Sequence, residues 1–296
     1  MDARENWLRA VEYRHPEWIP CSVGFSPITW RTHGKDLEKI VLEHPRLWPN
    51  YDPGKADFYD EMPVVYREGE YYTDNWGCTW LNIQEGLEGQ VVGHPLADWS
   101  ALATYRMPDP LVYDERGPAD PEKWDKIARH VAEARDKGQL IFGNGERLFD
   151  RLYFLRGFEN LMTDFATEPP ELARLIGMLE EYEMKVIHKW LELRPDVISF
   201  HTDFGTQHGP MISPASFRKY IKPLFQTLFQ ACRRSGVHVF LSSDGNILPM
   251  VDDLIECGVS VHDPQLRACT LEGIVKAYKG KLCACVDLDR QAWPFV

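Results

Sequence analysis

The sequence lacks any apolar run that approaches the roughly 20 residues a membrane-spanning helix needs, so it predicts no membrane contact. Basic residues are also scarce: 33 Lys and Arg face 45 Asp and Glu, a net charge of -12 that disfavours a nucleic-acid partner. Seven scattered cysteines, an odd number, indicate reduced thiols rather than structural disulfides. Nothing in the first residues is typical of a signal peptide, so we expect a cytoplasmic protein.

The chain is rich in hydrophobic residues that can form a core. Its 296 residues are 44% hydrophobic, and no linker or low-complexity stretch divides them, so we expect one domain over residues 1–296. Between Asp196 and Asp289, four apolar runs each end in polar residues, which is typical of buried parallel strands with their chemistry at the carboxyl end. These runs are Val197 to Asp203, Val237 to Gly245, Val259 to Asp263 and Leu282 to Asp289.

Helical patterns separate the runs. Apolar stripes at helical spacing begin after Ser213, Asn246 and Thr270, and a glycine ends each one. This alternation of strand and helix predicts a parallel α/β barrel or an open doubly wound sheet. In the first half, Trp18 to Phe25 is predicted as a first strand, and Val64 to Asn82, with Glu68-Gly69-Glu70 between its apolar runs, as an inserted β-hairpin.

Acidic residues mark the ends of successive strands: Glu146, Asp203, Asp244 and Asp287, with His201 and His262 nearby. The carboxyl ends of parallel strands face one mouth, so these side chains are expected to converge. His201 and Asp203 are two residues apart, share one strand face, and could meet Asp244 at a metal. The alternative for each is structural, with Asp203 capping a loop or His201 filling a layer of the barrel interior.

Several motifs resemble those of the uroporphyrinogen decarboxylase superfamily. They are Leu155-Arg156-Gly157-Phe158-Glu159-Asn160, Asp203-Phe204-Gly205-Thr206-Gln207, Met211-Ile212-Ser213-Pro214, Tyr220-Ile221-Lys222-Pro223, Ser243-Asp244-Gly245-Asn246-Ile247 and Asp287-Leu288-Asp289-Arg290-Gln291. The resemblance implies a (β/α)8 barrel of the TIM type, with its site at the carboxyl face of the strands. Six clear barrel strands precede Val296, so the barrel is expected to lack its last strand or strands.

The superfamily contains two chemistries. Its decarboxylases carry an Arg-Gln-Ala-Gly-Arg run on the first strand, but here no arginine occurs between Pro20 and Trp30, which disfavours a substrate with many carboxylates. Its corrinoid-dependent methyltransferases that act on thiols carry a His-x-Cys pair and a late Cys that bind zinc. In this chain Ser242 and Asp244 stand at the first two positions, and the segment of the late Cys is absent, which disfavours a thiol.

An oxygen-rich site is typical of enzymes that demethylate methoxylated compounds. The resemblance therefore implies that Asp203, Asp244 and Glu146 act in catalysis, either as a proton donor or by holding zinc together with His201. Trp30, Trp76, His262 and Asp287 are expected to bind the substrate. The methyl group would pass to the corrinoid of a separate protein, and a decarboxylase of a smaller substrate and a catalytically silent binding barrel are the alternatives.

Overall fold

Five parallel strands form the centre of the computed structural model, which describes residues 1–48, 51–54 and 61–289. Their order follows the chain, and they are β4 Phe142–Asn144, β5 Val197–His201, β6 His238–Ser242, β7 Val261–His262 and β8 Cys283–Ala284. A separate antiparallel sheet precedes them, made of β1 Tyr71–Thr73, β2 Thr79–Leu81 and β3 Gln90–Gly93.

The α-helices lie before and between these strands. They are α1 Ala3–Val11, α2 Pro27–Glu43, α3 Lys123–Asp136, α4 Leu148–Arg156, α5 Phe158–Thr167 and α6 Pro170–Glu192. The later ones are α7 Pro214–Ser216, α8 Lys222–Arg234, α9 Val251–Cys257, α10 Leu266–Cys269 and α11 Leu271–Tyr278, with a π-helical turn at Phe217–Ile221 before α8. Short 3₁₀ turns occur at Val64–Tyr66, Trp99–Ala103 and Leu248–Met250. No helix in the described ranges is long and apolar enough to cross a bilayer.

The parallel sheet has two different faces. Alternation along β5 directs Phe200 outward, where its ring lies 4.7 Å from that of Phe229 on α8. Ser199 and His201 point to the opposite, inner face. In register with them, Phe240 of β6 pairs with Val261 of β7, so the inner face continues across the sheet.

The structure confirms the predicted parallel α/β arrangement, including the helices after Ser213 and Thr270, whose side chains accept backbone N–H groups at the helix N-termini. The described strands form a row of five and do not show a closed barrel. Closure of a (β/α)8 barrel therefore stays a prediction.

Two expectations for the first half were wrong. Trp18 to Phe25 forms no strand: Pro20 offers no amide, and Ile19 is 83% exposed rather than buried in a sheet. The hairpin exists, but it turns at Asp74 to Cys78 and not at Glu68 to Glu70. Asp74 causes this turn because its Oδ1 accepts the backbone N–H groups of Trp76 and Cys78, at 3.0 and 2.8 Å.

A cluster of phenylalanines joins the outer face of the sheet to the helices. Phe225 is fully buried in it, and its ring lies 4.8 Å from that of Phe229, 5.9 Å from that of Phe217 and 6.1 Å from that of Phe204. Such interdigitated rings leave a cavity when one is removed, because the neighbours relax little.

We therefore expect Phe225→Ala to lower the free energy of unfolding by about 3–5 kcal/mol, measured by urea denaturation. Phe158→Ala is the matched control, since Phe158 is 45% exposed and its removal leaves no closed cavity. Equal losses in the two variants would show that this cluster does not bear on stability.

Candidate active site

Carboxylates at or beside the strand ends hold neighbouring loops in place, mostly by accepting hydrogen bonds from backbone amides. Asp203 Oδ1 accepts the N–H of Asp244 at 2.8 Å, and Asp150 Oδ2 accepts the N–H of Asp203 at 2.9 Å. Asp263 accepts the Ser242 hydroxyl at 2.6 Å and the Ser243 N–H at 3.1 Å. Asp287 accepts the N–H of Leu266 at 2.8 Å and so holds the start of α10.

Two glycines allow the loops after β5 and β6 to approach. A Cβ on Gly205 would lie 2.6 Å from the carbonyl oxygen of Asp244, and one on Gly245 would collide with the backbone of Gly205. Gly245 also has a φ of 84°, which favours glycine. The glycines of the Asp-Phe-Gly and Asp-Gly sequences are therefore needed for packing. Because they have no side chain, the two loops can lie close enough for Asp203 to accept the Asp244 amide.

Burial shifts the pKa values of these carboxyl groups upward. It raises the pKa of Asp150 to about 7, with the nearby charge of Asp203 adding to it and the Tyr153 hydroxyl opposing it. Burial likewise raises the pKa of Asp263 to about 6, with a contribution from the charge of Asp244. The pKa of Asp203 is raised by its partial burial and by the charge of Asp244, while the hydrogen bond from the Asp244 amide lowers it. Carboxyl groups of this kind keep a proton nearer neutral pH than exposed ones do.

Asp203 differs from its neighbours in its accessibility. Its side chain is half-buried, and its second oxygen accepts no hydrogen bond from any described residue. Arg147 and His201 both lie close enough to favour the ionised carboxylate. His201 bonds Ser199 Oγ through Nε2 at 2.9 Å, and desolvation together with the Arg147 charge lowers its pKa. Asp203 thus has, at the carboxyl ends of the strands, one carboxyl oxygen without a hydrogen bond from the described part of the chain, and the charges of Arg147 and His201 favour release of its proton.

Glu146 and Trp76 belong to a different, buried cluster around Arg151. The Arg151 guanidinium lies 4.4 Å from the centre of the Trp76 ring and contacts three carboxylates. Its Nη2 is 3.0 Å from Glu146 Oε1 and 2.7 Å from Glu115 Oε1, and its Nη1 is 3.3 Å from Asp74 Oδ2. The Trp76 side chain is 1% exposed, so it offers no surface to a substrate in this structure.

The other predicted substrate-binding residues are spread over the molecule. Trp30 stacks on Tyr51, with parallel rings 6.0 Å apart, in an aromatic group of the amino-terminal segment. His262 points outward to the helices, where its Nδ1 lies 2.9 Å from the Tyr278 hydroxyl, and burial lowers its pKa to about 3. Asp287 lies at the strand ends and holds α10. Arg290 and Gln291, part of the last motif, lie outside the described residues.

The predicted zinc set does not fit a metal as the side chains stand. No three His, Cys, Asp or Glu residues in the described parts of the chain gather in a way that could hold an ion. Of the four predicted ligands, His201 bonds Ser199, Glu146 pairs with Arg151, and Asp203 accepts the amide of Asp244. We therefore assign no chemical step to a metal bound by this chain.

Sequence reasoning missed Asp150, Asp263 and Arg147. Asp263 had a signal, because it lies two residues after Val261 and so on the same strand face. Asp150 and Arg151 are the two charged residues in the mainly apolar and aromatic stretch Leu148 to Leu155, so each needs a buried partner. Nothing local in the sequence marked Arg147, whose place beside Asp203 depends on the fold.

This fold is shared with a solved methyltransferase from Methanosarcina mazei. The two structures superpose with a TM-score of 0.60 at 16% sequence identity, over 95% of this chain and 81% of the other. At that identity the likeness is one of fold. No protein-family model and no curated protein matches the sequence.

The Arg151 cluster generates a stability prediction. Arg151→Met leaves Asp74 and Glu146 without their buried cation, so we expect a loss of about 3–5 kcal/mol in the free energy of unfolding by urea denaturation. Arg31→Met is the control, because Arg31 pairs with Glu85 at the partly exposed surface and such pairs contribute at most about 1 kcal/mol. Comparable losses would contradict the structural role of Arg151.

The raised pKa of Asp150 generates a pH prediction. Its folded-state pKa of about 7 exceeds the ordinary value of 3.8, so the folded protein binds this proton more tightly than the unfolded chain does. The stability that the protonated carboxyl contributes is complete below pH 3.8 and declines up to about pH 7. Relative to Asp150→Asn, the wild-type protein should therefore lose free energy of unfolding over this range. Asp125→Asn, which removes an exposed carboxyl on α3, is the control. A flat Asp150→Asn difference would contradict the assignment.

Proposed function

We propose that this protein is a methyltransferase that cleaves a methyl ether and passes the methyl group to the corrinoid cobalt of a partner protein. One observation carries the proposal: Asp203, half-buried at the strand ends, has a raised pKa and an oxygen free to face a substrate. A fold shared with a solved methyltransferase supports it.

The chemistry explains why such a carboxyl matters. When the methyl group moves to the reduced cobalt of the partner, the carbon–oxygen bond breaks and its electron pair stays on oxygen. An alkoxide or phenolate is a poor leaving group, so a proton delivered to that oxygen lowers the barrier. In our proposal Asp203 delivers this proton through its second carboxyl oxygen, and the product leaves as an alcohol or phenol.

The neighbours of Asp203 suit this role. Asp150 and the Asp244 amide hold its backbone and its Oδ1, so the carboxyl keeps one orientation. The charge of Asp244 favours the protonated form, whereas that of Arg147 favours the ionised form left after proton transfer. Asp244 itself is exposed at the mouth, and we assign it to positioning and electrostatic tuning rather than to proton donation.

Decarboxylation of a small acid is less well supported. A carboxylate substrate needs a cation that is not already neutralised, and Arg147, the arginine beside Asp203 and His201, contacts Glu88 through both terminal nitrogens at 2.8 and 3.0 Å. The net charge of -12 also opposes the binding of an anion.

The direct test is Asp203→Asn, which keeps an oxygen for the Asp244 amide but removes the transferable proton. With a reduced corrinoid protein and anisole, we expect methyl transfer to fall about 100-fold or more, the usual scale for losing a general acid. The loss should be much smaller with 4-nitroanisole, whose phenolate leaves without proton assistance. Asp252→Asn, on the exposed surface of α9, serves as the control and should retain the wild-type rate.

Two results would contradict this assignment. Equal losses with both ethers would mean that Asp203 positions groups and does not donate the proton. Wild-type protein that moves no methyl group from any ether, but releases carbon dioxide from a small carboxylic acid, would replace the proposed function with decarboxylation.

A further inference from the structure

A second feature of the inner sheet face is an apolar groove beneath α1. The groove encloses about 450 Å³, within the range of small-molecule pockets. Helix α1 and the segment after it form one wall, and strands β6 to β8 form the other. The main contributors are Trp7, Val11 and Tyr13 on the first wall and Phe240, Val261 and Cys283 on the second.

Ion pairs and ring contacts fix the helical wall in place. Arg4 makes two hydrogen bonds to Asp196, at 2.6 and 2.9 Å, at the amino-terminal end of β5. The Trp7 ring meets the Phe142 ring edge-on, with centroids 5.8 Å apart. The groove therefore lies between two anchored elements and is not a bare sheet face.

The groove leads towards the strand-end carboxyls. Ser242 and Asp263 each lie two residues beyond a groove residue, Phe240 and Val261, on the same strand face, a step of about 6.6 Å. Cys285 also lines the groove, and Asp263 is near enough for its charge to add to burial in raising the pKa of that thiol. Asp244 lies beyond, close enough to influence Asp263. One continuous face thus runs from apolar rings to acidic oxygens.

We infer that this groove binds the aromatic ring of the substrate, a neutral methoxylated arene, with the ether oxygen directed to the carboxyl groups. The ether part of the inference rests on the proposed function. The aromatic part rests on the lining: apart from His15 and the Tyr13 hydroxyl it presents rings, aliphatic carbons and thiols, which favour a flat apolar ligand over a charged or strongly hydrated one.

Binding can be measured without any corrinoid protein. Calorimetric titration of the full chain with 1,2-dimethoxybenzene should show saturable binding with a negative heat-capacity change, as apolar burial requires. 1,2-Dimethoxyethane, which has the same two methoxy groups but no ring, should bind at least about tenfold more weakly, because it buries less apolar surface. Equal affinity of the two ethers would overturn the aromatic assignment.

Two variants test the location from opposite walls. Val261→Trp and Ala10→Trp each fill the groove, and either should weaken dimethoxybenzene binding by about tenfold or more; the helix variant keeps the test valid if the strand variant fails to fold. Val275→Trp makes the same replacement as the first at a site on α11 that is 48% exposed, and should bind as wild type does. Unchanged affinity in a folded groove variant would overturn the proposal. So would a wild-type dimer that Val261→Trp converts to a monomer, since a second copy would then occupy the groove.

The two proposals fail in different ways. Ring binding that the groove variants abolish, combined with no methyl transfer to any corrinoid protein, would retain the groove as an arene site and reject the proposed function. Methyl transfer that proceeds at the wild-type rate and KM in folded Val261→Trp would retain the function and reject the groove.

Discussion

The buried guanidinium of Arg151 connects three segments of the chain that are distant in sequence or belong to different elements. Its side chain is fully buried, and a buried cation is tolerated only where carboxylates and a polarisable surface replace water. Asp74 comes from the turn of the antiparallel sheet, Glu115 from the segment before α3, and Glu146 from the end of β4. Each ion pair therefore joins a different element to α4, and the inserted sheet is held against the parallel one.

This arrangement also decides which acidic residues remain for chemistry. Glu146 lies at a strand end, where the sequence suggests catalysis, yet its carboxylate is engaged by Arg151 in the interior. Asp150, on the same helix as Arg151, turns instead towards Asp203 and holds its backbone. Helix α4 thus separates two groups of acidic residues. Glu146 is neutralised by the buried Arg151 and supports the fold. Asp150 and Asp203 lie beside the strand ends and have raised pKa values.

Local patterns in the sequence were enough to predict much of the architecture. The runs that became β5 to β8 and the stripes that became α8 and α11 carry their signal within a few residues, so strand, helix and strand-end acids could be assigned. Trp18 to Phe25 has a similar local pattern but found no strand partner, which depends on distant parts of the chain. The Arg151 contacts with Asp74 and Glu115 span 77 and 36 residues, beyond any local pattern.

The local sequence also could not predict which of His262 and Asp263 faces the inner side of the sheet. A run buried on both faces has no alternation of apolar and polar residues, so its register with the neighbouring strand decides which side chain faces inward. Pairing of Leu241 with His262 directs the imidazole to the helices and leaves Asp263 on the face shared with Ser242.

The register between β6 and β7 also places the proposed arene groove on the same sheet face as the strand-end carboxyls. The apolar side chains that would hold an arene lie on the same face as Ser242 and Asp263, and Cys285 of the groove is near Asp263, so an arene seated there would remove water from the Asp263 carboxyl. Loss of water disfavours the ionised form of a carboxyl, so the pKa of Asp263, already raised in the free protein, would rise further on binding. The proton would then be held most firmly when an ether oxygen is present to receive it. If the groove binds the arene as proposed, a face that joins apolar rings to partly buried acids would therefore couple substrate binding to the protonation of a carboxyl beside the ether oxygen.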